Sequence, residues 1–84
     1  MNTDQLPSSV PALAERYADR LDPVHARMVG ELTAGGEWAE AVDVLVLALR
    51  TTHAQITPPE RDELIAVMTT CELPIVLEGI TITG

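Results

Sequence analysis

Residues 37–52 constrain this chain more than any other stretch. Trp38, Ala41, Val42, Leu45, Val46, Ala48 and Leu49 recur at helical spacing and cover a broad arc of one helix. Val44 and Leu47 extend the apolar surface nearly all round. Apolar surface left in water is unfavourable, so such a helix needs neighbours on several sides. The chain has 84 residues, enough for one domain, and this helix is predicted to be its axis. Glu37, Glu40 and Asp43 lie toward its N-terminal end and Arg50 near its C-terminal end, where each sign complements the helix dipole.

Proline and glycine divide the rest of the chain. A first helix is expected over 9–21, with Ser8 or Ser9 as its cap and Pro11 in its first turn. Its apolar face is Val10, Leu13, Tyr17 and Leu21; Glu15, Arg16, Asp19 and Arg20 take the other side. Asp22-Pro23 ends it and caps a second helix over 23–34, whose inward stripe reads Val24, Met28 and Leu32, with Val29 beside it. Gly30 costs that helix about 1 kcal/mol relative to Ala, which a close helix–helix approach would explain. Gly35-Gly36 stops it. After the central helix, His53-Ala54-Gln55-Ile56 reads as a connector. Thr57-Pro58-Pro59-Glu60 is a capping box, opening a fourth helix over 58–71 with Leu64, Ile65, Met68 and Cys71 inward. The expected fold is all-α: one small antiparallel four-helix domain over 1–84, its helical body at 9–73 and an extended segment at 74–84. Ile80-Thr81-Ile82-Thr83 alternates like a half-buried strand. Three readings of that segment are open: packing over the helices, pairing with its copy in a homodimer through 75–84, or else disorder or addition to a partner's sheet edge.

Charge narrows the function. Thirteen acidic residues face five basic ones, all of them Arg, for a formal net charge of −8. Nucleic-acid binding and anionic membrane surfaces call for the opposite sign. The apolar content is too high for a disordered chain. Cys71 has no partner for an internal disulfide, and the N-terminus lacks a signal-peptide pattern, so a cytoplasmic protein is expected. His25, His53 and Cys71 have no metal-ligand spacing, so no metal or cofactor is expected. Cys71, near a helix C-terminus and beside Glu72, reads as a small hydrophobe and not as a nucleophile. Ser8 and Ser9 lack the Asp-Ser-Leu context of a carrier protein, and carboxylate pairs are too abundant to mark a catalytic dyad. The chain is expected not to be an enzyme.

A single-sign surface can serve solubility, or speed encounter with a partner of opposite charge. Here a resemblance enters. Gly36-Glu37-Trp38-Ala39-Glu40-Ala41-Val42-Asp43-Val44-Leu45, then Ala48-Leu49, then Ile56-Thr57-Pro58-Pro59-Glu60-Arg61-Asp62-Glu63-Leu64 resembles the MafI-like family of small helical bacterial immunity proteins, over roughly 13–73. The resemblance implies a protein that neutralises a cognate polymorphic toxin, often a nuclease, by binding it. It makes Trp38 a packing residue between the second and third helices, as its position on the face of Ala41, Val42 and Leu45 does independently. The candidate contacts with a basic toxin domain are the acids Glu37, Glu40, Asp43, Glu60, Asp62 and Glu63. The alternative function is a small homodimeric adaptor or scaffold.

Overall fold

The structure, a computed structural model, describes residues 1–84. Four α-helices follow one another: α1 Leu6–Tyr17, α2 Pro23–Ala34, α3 Trp38–Thr51 and α4 Pro58–Thr70. Two short strands, β1 Gln55–Ile56 and β2 Thr81–Ile82, complete the chain.

The central helix stands where its sequence demanded. α3 touches α1, α2 and α4. Its Ala41, Val42, Leu45, Val46, Ala48 and Leu49 are buried. Leu6, Val10, Leu13 and Tyr17 of α1, Val29 of α2, and Leu64, Val67 and Met68 of α4 close around them. Leu47 departs from the all-round burial, with 47% of its surface exposed, and Val44 is only partly buried.

The start of α1 corrects the expected boundary. Ser8 and Ser9 do not cap it. The chain turns earlier, in a 3₁₀ turn at Thr3–Gln5, where Asn2 Oδ1 accepts from the Asp4 amide at 3.0 Å and Gln5 Oε1 accepts from the Asn2 amide at 2.9 Å. That reciprocal pairing is a capping box written with amides. Pro7 takes the first turn of α1, which leaves Pro11 inside the helix, and Ser8 Oγ donates to the Gln5 carbonyl. α1 ends at Tyr17 and tightens into a 3₁₀ turn over Ala18–Arg20.

α2 begins as expected, with the Asp22 carboxylate accepting from the His25 amide at 3.0 Å. His25 Nδ1 lies 2.6 Å from the other Asp22 oxygen, and these two contacts hold the Asp22 carboxyl below its ordinary range. The buried stripe of α2 is not the expected one. Val29 is buried, while Val24 is 66% and Met28 42% exposed. Leu32 is half-buried. The helix meets the body through one side only, and that side passes through Val29.

Gly30 is a second correction. A Cβ built there meets nothing within 4 Å, so no close helix approach requires glycine. Its φ is ordinary for a helix, so Gly30→Ala is expected to raise stability by about 0.4–1 kcal/mol, chiefly by restricting the unfolded chain. A urea melt reads this directly. An unchanged or lowered midpoint would show that the position is constrained after all.

Three helices stop in the same way, and only one uses glycine. After α2, Gly36 adopts φ +72°, its amide donates to Thr33, and the Glu37 amide donates to Leu32. After α3, His53 takes the left-handed conformation at φ 53°, and the Ala54 amide reaches back to Leu49 at 3.0 Å. After α4, Glu72 does so at φ 59°, and the Leu73 amide reaches Met68 at 2.9 Å. Each is the paired hydrogen-bond closure that satisfies the last free helix carbonyls.

The C-terminal segment packs on its own chain. Thr81 donates to the Ala54 carbonyl at 2.9 Å and Thr83 to Ile56 at 2.8 Å, so β2 runs parallel to β1, with Gln55 opposite Thr81 and Ile56 opposite Ile82. The second half of the connector, Gln55–Ile56, is therefore a strand, and the buried Ala54, Ile56 and Ile80 join the core beneath it. Arg50 at the end of α3 holds the turn before β2: its Nε donates to the Glu78 carbonyl at 2.9 Å. His53 Nδ1 lies 3.0 Å from the Gly79 carbonyl, which can only accept, so the ring donates.

Candidate functional site

The six candidate acids fall into two groups with different surroundings. Glu60 and Glu63 lie on the seam between α4 and α1. Glu63 pairs with Arg16, and Glu60 Oε1 accepts from Arg20 at 2.9 Å. The partner numbers rise along α1 as they fall along α4, so these helices run antiparallel there. Glu60 also closes the capping box: its Oε1 accepts from the Thr57 amide at 2.9 Å, and its own amide donates to Thr57 Oγ1 at 3.3 Å. The hydrogen bond from Arg20 holds the Glu60 carboxyl below the ordinary carboxylate range, and the same bond raises Arg20 above its own. Asp62 is exposed and pairs with its neighbour Arg61.

Arg20 has further partners. It donates to the Gln55 carbonyl at 3.3 Å, and its guanidinium lies 4.9 Å from the centre of the Tyr17 ring. It thus ties the end of α1 to the start of α4 and to β1. Below it, Tyr17 is fully buried and its hydroxyl has no hydrogen-bond partner. Burial, aided by the charges of Glu60 and Glu63, pushes its pKa from 10.0 up to about 12. A raised tyrosine pKa favours the fold below the unfolded value and is lost above it. Stability is therefore expected to fall as pH rises from about 10 to about 12. Tyr17 is the single tyrosine, so phenolate absorbance reports it alone. A midpoint near 10 in the folded protein would contradict the burial.

Glu37, Glu40 and Asp43 stand apart from this seam. All three are exposed along α3, and none makes an ion pair. No arginine pairs with them. Arg16, Arg20, Arg27 and Arg61 pair with Glu63, Glu60, Glu31 and Asp62, and Arg50 is bonded to the C-terminal segment. The six acids thus differ in pairing: Glu60, Asp62 and Glu63 have arginine partners, and Glu37, Glu40 and Asp43 have none.

What it adds is apolar. Leu47 lies one turn beyond Asp43 and two beyond Glu40, on the same outward side of α3. Beside it, Asp43, Val46, Leu47, Arg50, Met68, Pro74 and Val76 line a groove of about 220 Å³ between α3 and the segment after α4. Val46 and Met68 are buried at its floor, while Leu47 and Val76 expose 47% and 39% of their surface. Ile75 next to it is 47% exposed. The spacing of Leu47 from Glu40 and Asp43 was a usable sequence signal: a leucine in the middle of a charged face. The contribution of residues 74–76 had none, since it depends on where the chain returns.

Cys71 is half-buried, and burial pushes its thiol above the ordinary value. No group of three His, Cys, Asp or Glu side chains is placed to hold a metal ion. No helix is long and apolar enough to cross a membrane. Compared with protein-family models, curated proteins and solved structures, the chain matches none. The resemblance to the MafI-like immunity proteins therefore rests on its motif residues alone. Those residues are placed as structural parts: Trp38 packs against the core and over Gly36, with Cζ2 3.7 Å from where a Gly36 Cβ would lie, and Thr57 with Glu60 forms the cap of α4.

Proposed function

We propose that this protein is an immunity-type inhibitor that binds a basic toxin domain, of the nuclease class, and blocks its access to substrate. It performs no chemistry of its own and acts in the cytoplasm. One observation carries the reading. Four of the five arginines are held in ion pairs and the fifth, Arg50, is bonded to the Glu78 carbonyl, while Glu37 at the cap of α3 and Glu40 and Asp43 on it make no ion pair. Carboxylates held on a rigid helix and left unpaired attract a cationic surface, and the uncompensated −8 speeds that encounter. A nuclease site must attract phosphate, so it presents the sign that these acids complement. Glu60 and Glu63, already paired with Arg20 and Arg16, contribute less than Glu37, Glu40 and Asp43.

The test is to mix the purified protein with the toxin domain encoded beside its gene and measure mass by light scattering. A 1:1 complex that weakens as salt is raised supports the reading; separate elution at low salt rejects it. The open outer edge of β2, which pairs with β1 alone, favours a second reading: a homodimeric adaptor associating through residues 75–84. The same instrument separates them. The inhibitor runs alone as a monomer, whereas an adaptor runs as a dimer that deletion of 75–84 disperses.

A further inference from the structure

We infer that the groove between α3 and residues 74–76 is a docking seat for an apolar side chain carried on a cationic segment of a partner protein. This deepens the inhibitor reading and rests on it for the partner's charge. The groove has the parts such a seat needs: a closed floor of Val46 and Met68, and exposed apolar walls in Leu47 and Val76. Its α3 rim carries Asp43, with Glu40 one turn away, and neither is paired. Arg50 at the far end donates its Nε to the Glu78 carbonyl, which fixes the wall that Val76 belongs to. It keeps its positive charge, so the acidic end of the groove is the Asp43–Glu40 end, and the occupant's cation belongs there.

The charge selects the occupant. A second copy would bring another Glu40 and Asp43 against the first, between chains that each carry −8. A Lys- or Arg-bearing segment meets those carboxylates favourably and leaves its apolar residue to fill the groove. The other exposed apolar groove, at Met28 and Leu32, is a weaker seat. Of its two rim acids, Glu31 is already held by Arg27 at 3.0 Å and only Glu37 is unpaired, and no second chain segment walls it in beyond Glu37.

The probe is a short amphipathic peptide of Leu and Lys, titrated into the full-length, ¹⁵N-labelled protein. Amide shifts are expected to concentrate at residues 40–47, Ile75 and Val76, and to weaken with salt. A Ser–Lys peptide of equal charge should bind at least tenfold more weakly. Leu47→Ser combined with Val76→Ser should cost at least tenfold in affinity; both side chains are exposed, and unchanged circular dichroism confirms that the fold is kept. The inference is overturned if the two peptides bind alike, if the double variant binds as well as the parent, if shifts centre on residues 24–32, or if the free protein self-associates through the groove. No toxin enters this titration, so its failure is distinct from failure of the inhibitor reading. A groove that binds as expected in a protein that ignores the neighbouring toxin keeps the seat and rejects that partner.

Discussion

Leu49→Ala is expected to destabilise the fold by about 2–5 kcal/mol, while Leu47→Ala, two residues away on the same helix, is expected to change it by no more than about 0.5 kcal/mol. Leu49 is fully buried, and Leu47 is 47% exposed. Removing the Leu49 side chain forfeits its transfer energy and leaves a cavity among groups that relax only partly. A chain of this size has a thin margin, so the upper end of that range leaves a large unfolded fraction at room temperature. Urea melts of both variants measure the difference. Equal losses would mean that α3 is turned differently about its axis, and would remove the outward face on which the proposed binding surface depends.

Gly79→Ala is expected to release the C-terminal segment. Gly79 has φ +95°, a backbone conformation that residues with a Cβ rarely adopt. A Cβ there would also lie 2.7 Å from the Arg50 carbonyl oxygen. That oxygen cannot easily yield, because it accepts the His53 amide in the turn that closes α3. Left-handed backbone alone costs an L-residue roughly 1–2 kcal/mol, and the contact adds to it. The expected result is a loss of about 2 kcal/mol or more, with amide exchange accelerated first at Thr81 and Thr83, whose hydrogen bonds tie β2 to β1. Uniform acceleration across α3 would instead show that the segment is part of one cooperative unit with the core.

The legible parts of this fold were those decided locally. Asp22-Pro23, Gly35-Gly36 and Thr57-Pro58-Pro59-Glu60 each contain their own donors, acceptors and backbone restrictions, so α2, α3 and α4 began and ended close to where they were expected. The α1 boundary was missed because Asn2 and Gln5 do with amides what Thr57 and Glu60 do with a hydroxyl and a carboxylate. Val24 and Met28 have the spacing of a core stripe but face water, since periodicity reports that a face is apolar and not what covers it. The parallel pairing of 55–56 with 81–82 joins residues far apart in the chain, and no local pattern encodes it. The acids divide for the same reason. Whether a carboxylate is free depends on where the few arginines land, and Arg16 and Arg20 reach Glu63 and Glu60 only through the docking of α1 on α4.

The most direct test of the inhibitor proposal is growth. Cells producing a basic nuclease-class toxin domain, drawn from the reading frames that flank this gene, are plated with and without the protein. Restored growth with the parent protein, and its loss when Glu40 and Asp43 are both changed to Lys in a variant that still melts near the parent temperature, is the result the proposal predicts. Toxicity undiminished by the parent protein at comparable expression contradicts it.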